Sequence, residues 1–193
     1  MSTPTAAAAL TRNAADVCQS VKLGDDAFAL LAKKPTVGQM IGTLSEKGLL
    51  TDACRVLAFA LPKREAIWWA CQCVRQANAI GGPKGTVALD AAERWVAAPD
   101  DKLRRAAYVA AESAGFGTPA GCAAVSVFLS GGSLAPPEVA DVPPDDSLTP
   151  KAVDGAVVLA AVSGDPVKAN EKFKKFIALG QDVASGKCKW SVK

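Results

Sequence analysis

Apolar positions along this chain recur at intervals of three and four, and no run of strict apolar–polar alternation lasts. The first spacing builds one face of a helix, and the second would build a strand. Alanine, the strongest helix former, dominates, and β-branched runs are short. The pattern predicts an all-α chain. Its punctuation divides it into helices. "PTVGQM" offers Thr36 and Gln39 as a capping box, and Gly48 stops the helix that follows. "LLTDACRVLAFAL" forms the next helix, Leu49 to Leu61. Pro62 then opens a helix from about Lys63 to Ala79, because its missing N–H is no loss in a first turn. "GGPKG" reads as the turn after it, followed by "TVALDAAERWVAA" and "DKLRRAAYVAAESAG". Thr118-Pro119, Thr149-Pro150 and Asp165-Pro166 repeat one signal, a capping side chain followed by proline at the first helical position.

A weak internal echo aligns "DACRVLAFALPKREAIWWACQCV" with "DAAERWVAAPDDKLRRAAYVAAE", and "DGAVVLAAVSGDPVKANEKFKKFIALG" repeats it loosely. Two architectures fit: a compact multi-helix bundle, or a short solenoid of helical hairpins. The break in the pattern is "SGGSLAPPEVADVPPDDSLTP", residues 130–150, whose five prolines exclude a helix. It reads as an extended strap held across the domain by Leu134, Val139 and Val142, and alternatively as a PxxP ligand for another protein. The organisation expected is a single domain. Residues 1–35 are readable as an N-terminal arm, 130–150 as the strap, and 151–193 as a C-terminal helical hairpin and tail. Composition leaves open whether the Ala-rich start packs or frays.

Composition narrows the chemistry. The 193 residues are 50% hydrophobic and 21% charged, enough for a sizeable core. A net charge of +3 is too small to point to nucleic acid or an anionic membrane surface. The longest apolar runs, such as "AVVLAAV", are far too short to insert in a bilayer. The N-terminus lacks the basic region of a signal peptide, so the expected location is the cytoplasm. The chain has no histidine, which removes Ser-His-Asp and Cys-His nucleophiles and histidine metal sites. Six cysteines are too sparse for a disulfide scaffold. Cys54, Cys71, Cys73 and Cys122 sit in Ala- and Val-rich runs and read as buried thiols.

The remaining candidates have structural readings. Cys71 and Cys73 are two apart, about 200° round a helix, and cannot clamp one metal. "GGPKGT" misplaces Lys84 for a phosphate loop. Glu65, Glu93 and Glu112 share segments with Arg64, Arg94, Arg104 and Arg105, and read as ion pairs or solvated faces. The tail carries Lys187, Lys189, Trp190 and Lys193, with Trp190 expected to dock on the domain. No catalytic residue, metal site or cofactor is assigned.

The densest stretch is "LPKREAIWWACQC", residues 61–73. Ile67, Ala70, Cys71 and Val74 share one helix face fit for burial. Arg64 and Trp68 are four apart, so the guanidinium can lie on that indole face. Trp68 and Trp69 differ by 100°. Either the helix is central, or one tryptophan faces a groove. The partner-binding candidates are Trp68, Trp69, Arg64, Glu65, Trp95, Pro136 and Pro137. Taken together, "LPKREAIWWAC", "AERWV" and "SGGSLAPP" resemble an uncharacterised bacterial family with LPxREAxWWAC, AExWV and SGGSxAPP segments, over roughly Leu49 to Trp190. That resemblance implies an accessory protein of the type VI secretion system, an adaptor or chaperone-like chain with a protein partner. Two other readings stand beside it: an enzyme using Arg64, Glu65 and Glu112, and a structural subunit that oligomerises through a helix face.

Overall fold

The computed structural model describes residues 6–190. Among these, eleven α-helices are joined by short loops, 3-10 turns and one long connection, residues 129–147, and one isolated antiparallel bridge, Asn13 to Thr36, is the only β pairing. The helices are α1 (Ala6–Ala9), α2 (Ala14–Val17), α3 (Asp25–Ala29), α4 (Val37–Glu46), α5 (Leu50–Ala60) and α6 (Lys63–Gln76). They continue with α7 (Gly82–Ala97), α8 (Asp101–Ala114), α9 (Pro119–Phe128), α10 (Leu148–Val162) and α11 (Ala169–Ala184). The all-α expectation holds.

Most boundaries follow the local signals. Thr36 and Gln39 form the reciprocal capping box, Asp100 accepts from the Leu103 amide, and Thr118 accepts from the Gly121 amide. Asp165 caps a 3-10 turn, Pro166–Lys168, one step before α11. Two signals misled. α7 begins inside "GGPKG", at Gly82, so Pro83 lies in its first turn. Thr149 does not cap α10, which starts at Leu148 after Ser147. Its hydroxyl instead donates to the Leu129 carbonyl at 2.8 Å, a buried tie from α10 to the end of α9. A hydroxyl near a proline can serve tertiary packing as readily as its own helix.

The packing is that of a bundle. α10 contacts α5, α6, α9 and α11, and α6 contacts α7, α9, α10 and α11. Helices distant in sequence therefore share one core, whereas solenoid repeats touch only their neighbours. The N-terminal residues join it. Ala9 and Ala14 are fully buried, the Ala14 amide donates to the Pro35 carbonyl, and Arg55 on α5 reaches the Lys22 carbonyl and Asp154 on α10. Residues 1–5 and 191–193, including Lys193 of the tail, lie outside the described residues.

Helix α6 lies at the centre, and its tryptophans divide. Trp69 is fully buried, and its indole N–H donates to the Phe176 carbonyl of α11 at 2.8 Å. Gly180, one turn further along α11, makes room for it. A Cβ there would overlap Leu57 and come within 3.0 Å of the Trp69 ring. Trp68 is only partly buried, and its indole nitrogen is enclosed with no hydrogen-bond partner. The two rings should respond differently to truncation. Trp69→Phe removes a satisfied bond and opens a cavity, so it should cost about 1.5–3 kcal/mol in urea denaturation. Trp68→Phe removes a donor that bonds to nothing, and should stay within about 1 kcal/mol of the parent.

Candidate functional site

The N-terminus of α6, the loop between α7 and α8, and the turn at residues 130–132 surround an open cleft of about 1160 Å³. Arg64, Glu65 and Trp95 of the sequence candidates line it. So do Arg12, Phe59, Asp101 and Arg104, which sequence reasoning did not single out as a group. The "DDKLRR" run carried a readable hint, since an acid three and four residues before two arginines is an ion-pair spacing. Arg12 had none, because it arrives from the N-terminal segment.

Most of the cleft's charges are committed to structure. Arg64 donates from Nε to the Val96 carbonyl at 2.7 Å and from Nη2 to the Ala97 carbonyl at 3.1 Å. These are end carbonyls of α7, which carry the negative pole of that helix. The guanidinium stacks on Trp190, 4.3 Å from the ring centroid. The stack on Trp68 that the spacing allows does not form. The i,i+4 neighbour loses to a ring that also anchors the chain's tail, and the expected docking of Trp190 on the domain holds. Glu65 makes no ion pair and no side-chain hydrogen bond among the described residues. Glu112 is exposed on α8 and does not line the cleft, so the structure does not bring it to Arg64 and Glu65.

Arg104 is the hub of the opposite wall, and it is 3% exposed. It donates to the Phe128 carbonyl at 2.8 Å, to the Ser133 carbonyl at 3.0 Å and to Asp101 at 2.8 Å. Its guanidinium also faces the Phe128 ring at 4.8 Å. Arg105 adds bonds to the Ala135 carbonyl and to Asp101. The bonds from Arg104 and then Arg105 hold the Asp101 carboxyl below the usual carboxylate range. Gly132 is needed here twice over. Its φ of +64° favours glycine, and a Cβ would lie 2.8 Å from the Arg104 guanidinium.

These arginines also correct the reading of the strap. Val139 and Val142 are 56% and 51% exposed, so they do not pin it. The segment is held by backbone instead. Ser133 Oγ accepts from the Ala135 and Val142 amides, the Leu134 amide donates to the Val142 carbonyl, and the two arginines bind carbonyls at its root. Pro136 and Pro137 are exposed on this closed loop, outside the cleft. Lys63 ties the other end, donating to the Ser130 carbonyl at 3.2 Å and Asp146 at 2.8 Å.

The remaining candidates take the structural roles expected of them, with one exception, Cys122. Glu93 receives two bonds from Arg75, at 2.6 and 2.7 Å, and Asp90 receives a third at 2.9 Å. Burial pushes the thiols of Cys54, Cys71 and Cys73 well above the ordinary range, and that of Cys18 up to about 11. Cys122, expected as a buried thiol, is only partly buried, because it lies in the first turns of α9 and donates to the Phe116 carbonyl in the preceding loop, while partial burial still raises it. Among the described residues, no group of three or more Cys, Asp or Glu is placed to hold a metal ion, and no helix is long and apolar enough to cross a membrane.

Residues 40–184 match the profile of DUF6931, a family of unknown function. The chain belongs to this family. No curated protein and no solved structure matches it. Every wall of the cleft except Arg12 lies inside the DUF6931 region, which also spans all of α5 to α10. The site is therefore a feature of the family segment rather than of its flanks.

Two measurements check this arrangement. Arg104→Met leaves the Phe128 and Ser133 carbonyls without their donor, and should cost about 2–4 kcal/mol. It should also speed hydrogen exchange at Leu134 and Val142 more than in α5. With a thiol reagent at pH 8, Cys188, which like Cys122 is only partly buried, should react ahead of the buried thiols in the folded DUF6931 chain. Cys54, Cys71 and Cys73 should react only after denaturant is added, because the thiolate is the nucleophile.

Proposed function

We propose that this DUF6931 chain is a cytoplasmic, protein-binding accessory of a bacterial type VI secretion system, with an adaptor or chaperone-like role. The observation that carries the binding part is the cleft itself. It is large and open, it mixes Phe59 and Trp95 with charged groups, and Arg64 and Arg104 are spent on carbonyls that hold its walls in place. A rigid, preorganised wall lowers the ordering cost of association. Arg12 and Glu65 make no ion pair among the described residues and face the same space, which suits a partner bearing both signs of charge. The secretion part rests on the resemblance carried by LPxREAxWWAC and SGGSxAPP, the two segments that meet across this cleft.

The test is capture from the native host, quantified by mass spectrometry, with the tagged parent compared to Arg12→Glu/Glu65→Lys. Components of the injection apparatus should accompany the parent and fall about tenfold with the double variant, the equivalent of one lost hot-spot contact. Recovery of no such component, or equal recovery with both chains, overturns the reading.

A further inference from the structure

Residues 6–36 lie ahead of the matched segment, 40–184, and are held to the bundle at two places. The first is a root of backbone bonds. The Val37 and Gly38 amides of α4 donate to the Arg12 and Leu10 carbonyls, and the Ala14 amide donates to the Pro35 carbonyl. These bonds close residues 14–35 into a flap. Its helices, α2, α3 and two 3-10 turns, have three to five residues each, too short to stand without packing. Val17, Cys18, Val21, Ala27 and Leu30 supply that packing.

The second place is a clasp at the middle of the flap. Arg55 of α5 donates from Nη1 to the Lys22 carbonyl at 2.8 Å, and Asp52, one turn earlier, accepts from the Gly24 amide at 3.3 Å. A Cβ on Gly24 would sit 3.4 Å from Asp52 Oδ2, so the flap lies against that carboxylate. The same guanidinium serves a second carboxylate. Its Nε donates to Asp154 of α10 at 2.9 Å, while Nη1 lies 3.5 Å from Asp52. The Asp154 side chain is 14% exposed, and its Oδ1 is enclosed with no donor among the described residues. One cation therefore holds two carboxylates in a largely closed space, and like charges so placed favour a proton on one of them. Asp154 is the one suited to it, because a protonated Oδ1 needs no donor. Burial, and behind it the Asp52 charge, raise the Asp154 carboxyl above the ordinary value of 3.8 against the pull of Arg55.

No other charge enters the clasp among the described residues. The Cys54 thiol of α5 also feels Asp154, and burial keeps that thiol neutral. The flap turns a carbonyl and an amide toward the clasp, with the side chains of Lys22, Asp25 and Asp26 exposed. α6, α9, α11 and the turn Pro166–Lys168 pack on α10 and bring no charge to bear on Asp154.

We infer that closure of the flap is proton-linked: a proton on Asp154 holds residues 14–35 down on α5, and its loss loosens them. The flap closes over Arg55 and brings no cation, so closing it takes water from Asp154 without compensating the charge. Asp154 thus binds its proton more tightly with the flap closed than open. Closure is strongest below the ordinary carboxylate value and weakens as pH rises through the raised one. Arg12 of the cleft wall belongs to the root and not to the flap, so the inference stands whatever the cleft binds.

Hydrogen exchange on the full chain, read by mass spectrometry, tests this when each amide rate is divided by its intrinsic rate at that pH. From about pH 4.5 to about pH 8, protection of residues 14–35 in the parent should fall, by at most about tenfold per pH unit, the limit for one proton. Protection of α5 and α6 should not follow it. Asp154→Asn has no proton to lose, and protection of its flap should stay level over the same range. Asp52→Asn removes the neighbouring negative charge and should move the fall to lower pH, which keeps the test decisive if Asp154→Asn does not fold. Flap protection in the parent that stays level or rises with pH overturns the inference. So does a fall that Asp154→Asn retains, or one that Asp52→Asn leaves in place.

Discussion

Two neighbouring tryptophans on one helix cannot face the same way, and much of this structure follows from how that conflict is settled. Trp69 enters the core, where an indole needs both volume and an acceptor. The Phe176 carbonyl supplies the acceptor, and Gly180 the space. Both belong to α11, so the central helix and the last helix are locked together across more than a hundred residues of chain. With Trp69 inward, Trp68 is turned 100° round toward α7. There its ring is covered on part of its surface, and its N–H is left without an acceptor. Placement of α11 also sets where the tail emerges, which brings Trp190 over Arg64.

Arginine does the second half of the work. Alanine-rich helices pack closely but offer few polar side chains to finish loops and helix ends. Arg64 closes the end of α7, and Arg104 with Arg105 holds the root of the proline-rich loop. A buried cation is costly unless it is paired and hydrogen-bonded, and Arg104 places Nε, Nη1 and Nη2 on Asp101 and two carbonyls. The result is a cleft with charged walls that are also load-carrying cross-ties. Its shape and its stability therefore rest on the same side chains, and a partner would meet a surface that is already ordered.

The helices were legible because their signals are local. A capping box, a proline in a first turn and a three-four spacing act within one or two turns, and Thr36, Pro62, Asp100 and Thr118 behave as their neighbours dictate. The errors came where a local rule competed with a distant group. Arg64 has Trp68 within reach on its own helix, yet stacks on Trp190, because that position lets Nε and Nη2 reach the α7 carbonyls at the same time. Thr149 looks like a cap and serves as a bond to α9. Val139 and Val142 look like anchors and face solvent, because arginine bonds to the backbone had already fixed the loop.

The sequence by itself determined the all-α class, most helix boundaries, the absence of histidine chemistry and the inert character of the buried cysteines. Those follow from residue type, short-range spacing and the cost of ionising a thiol away from water. Only the tertiary structure decided which tryptophan is core, that the helices close into a bundle rather than a solenoid, and that Arg12, Arg64 and Arg104 border one cleft. Those outcomes depend on which distant backbone carbonyls fall within reach of a donor. That is set by the packing of whole helices, and no local pattern in the chain encodes it.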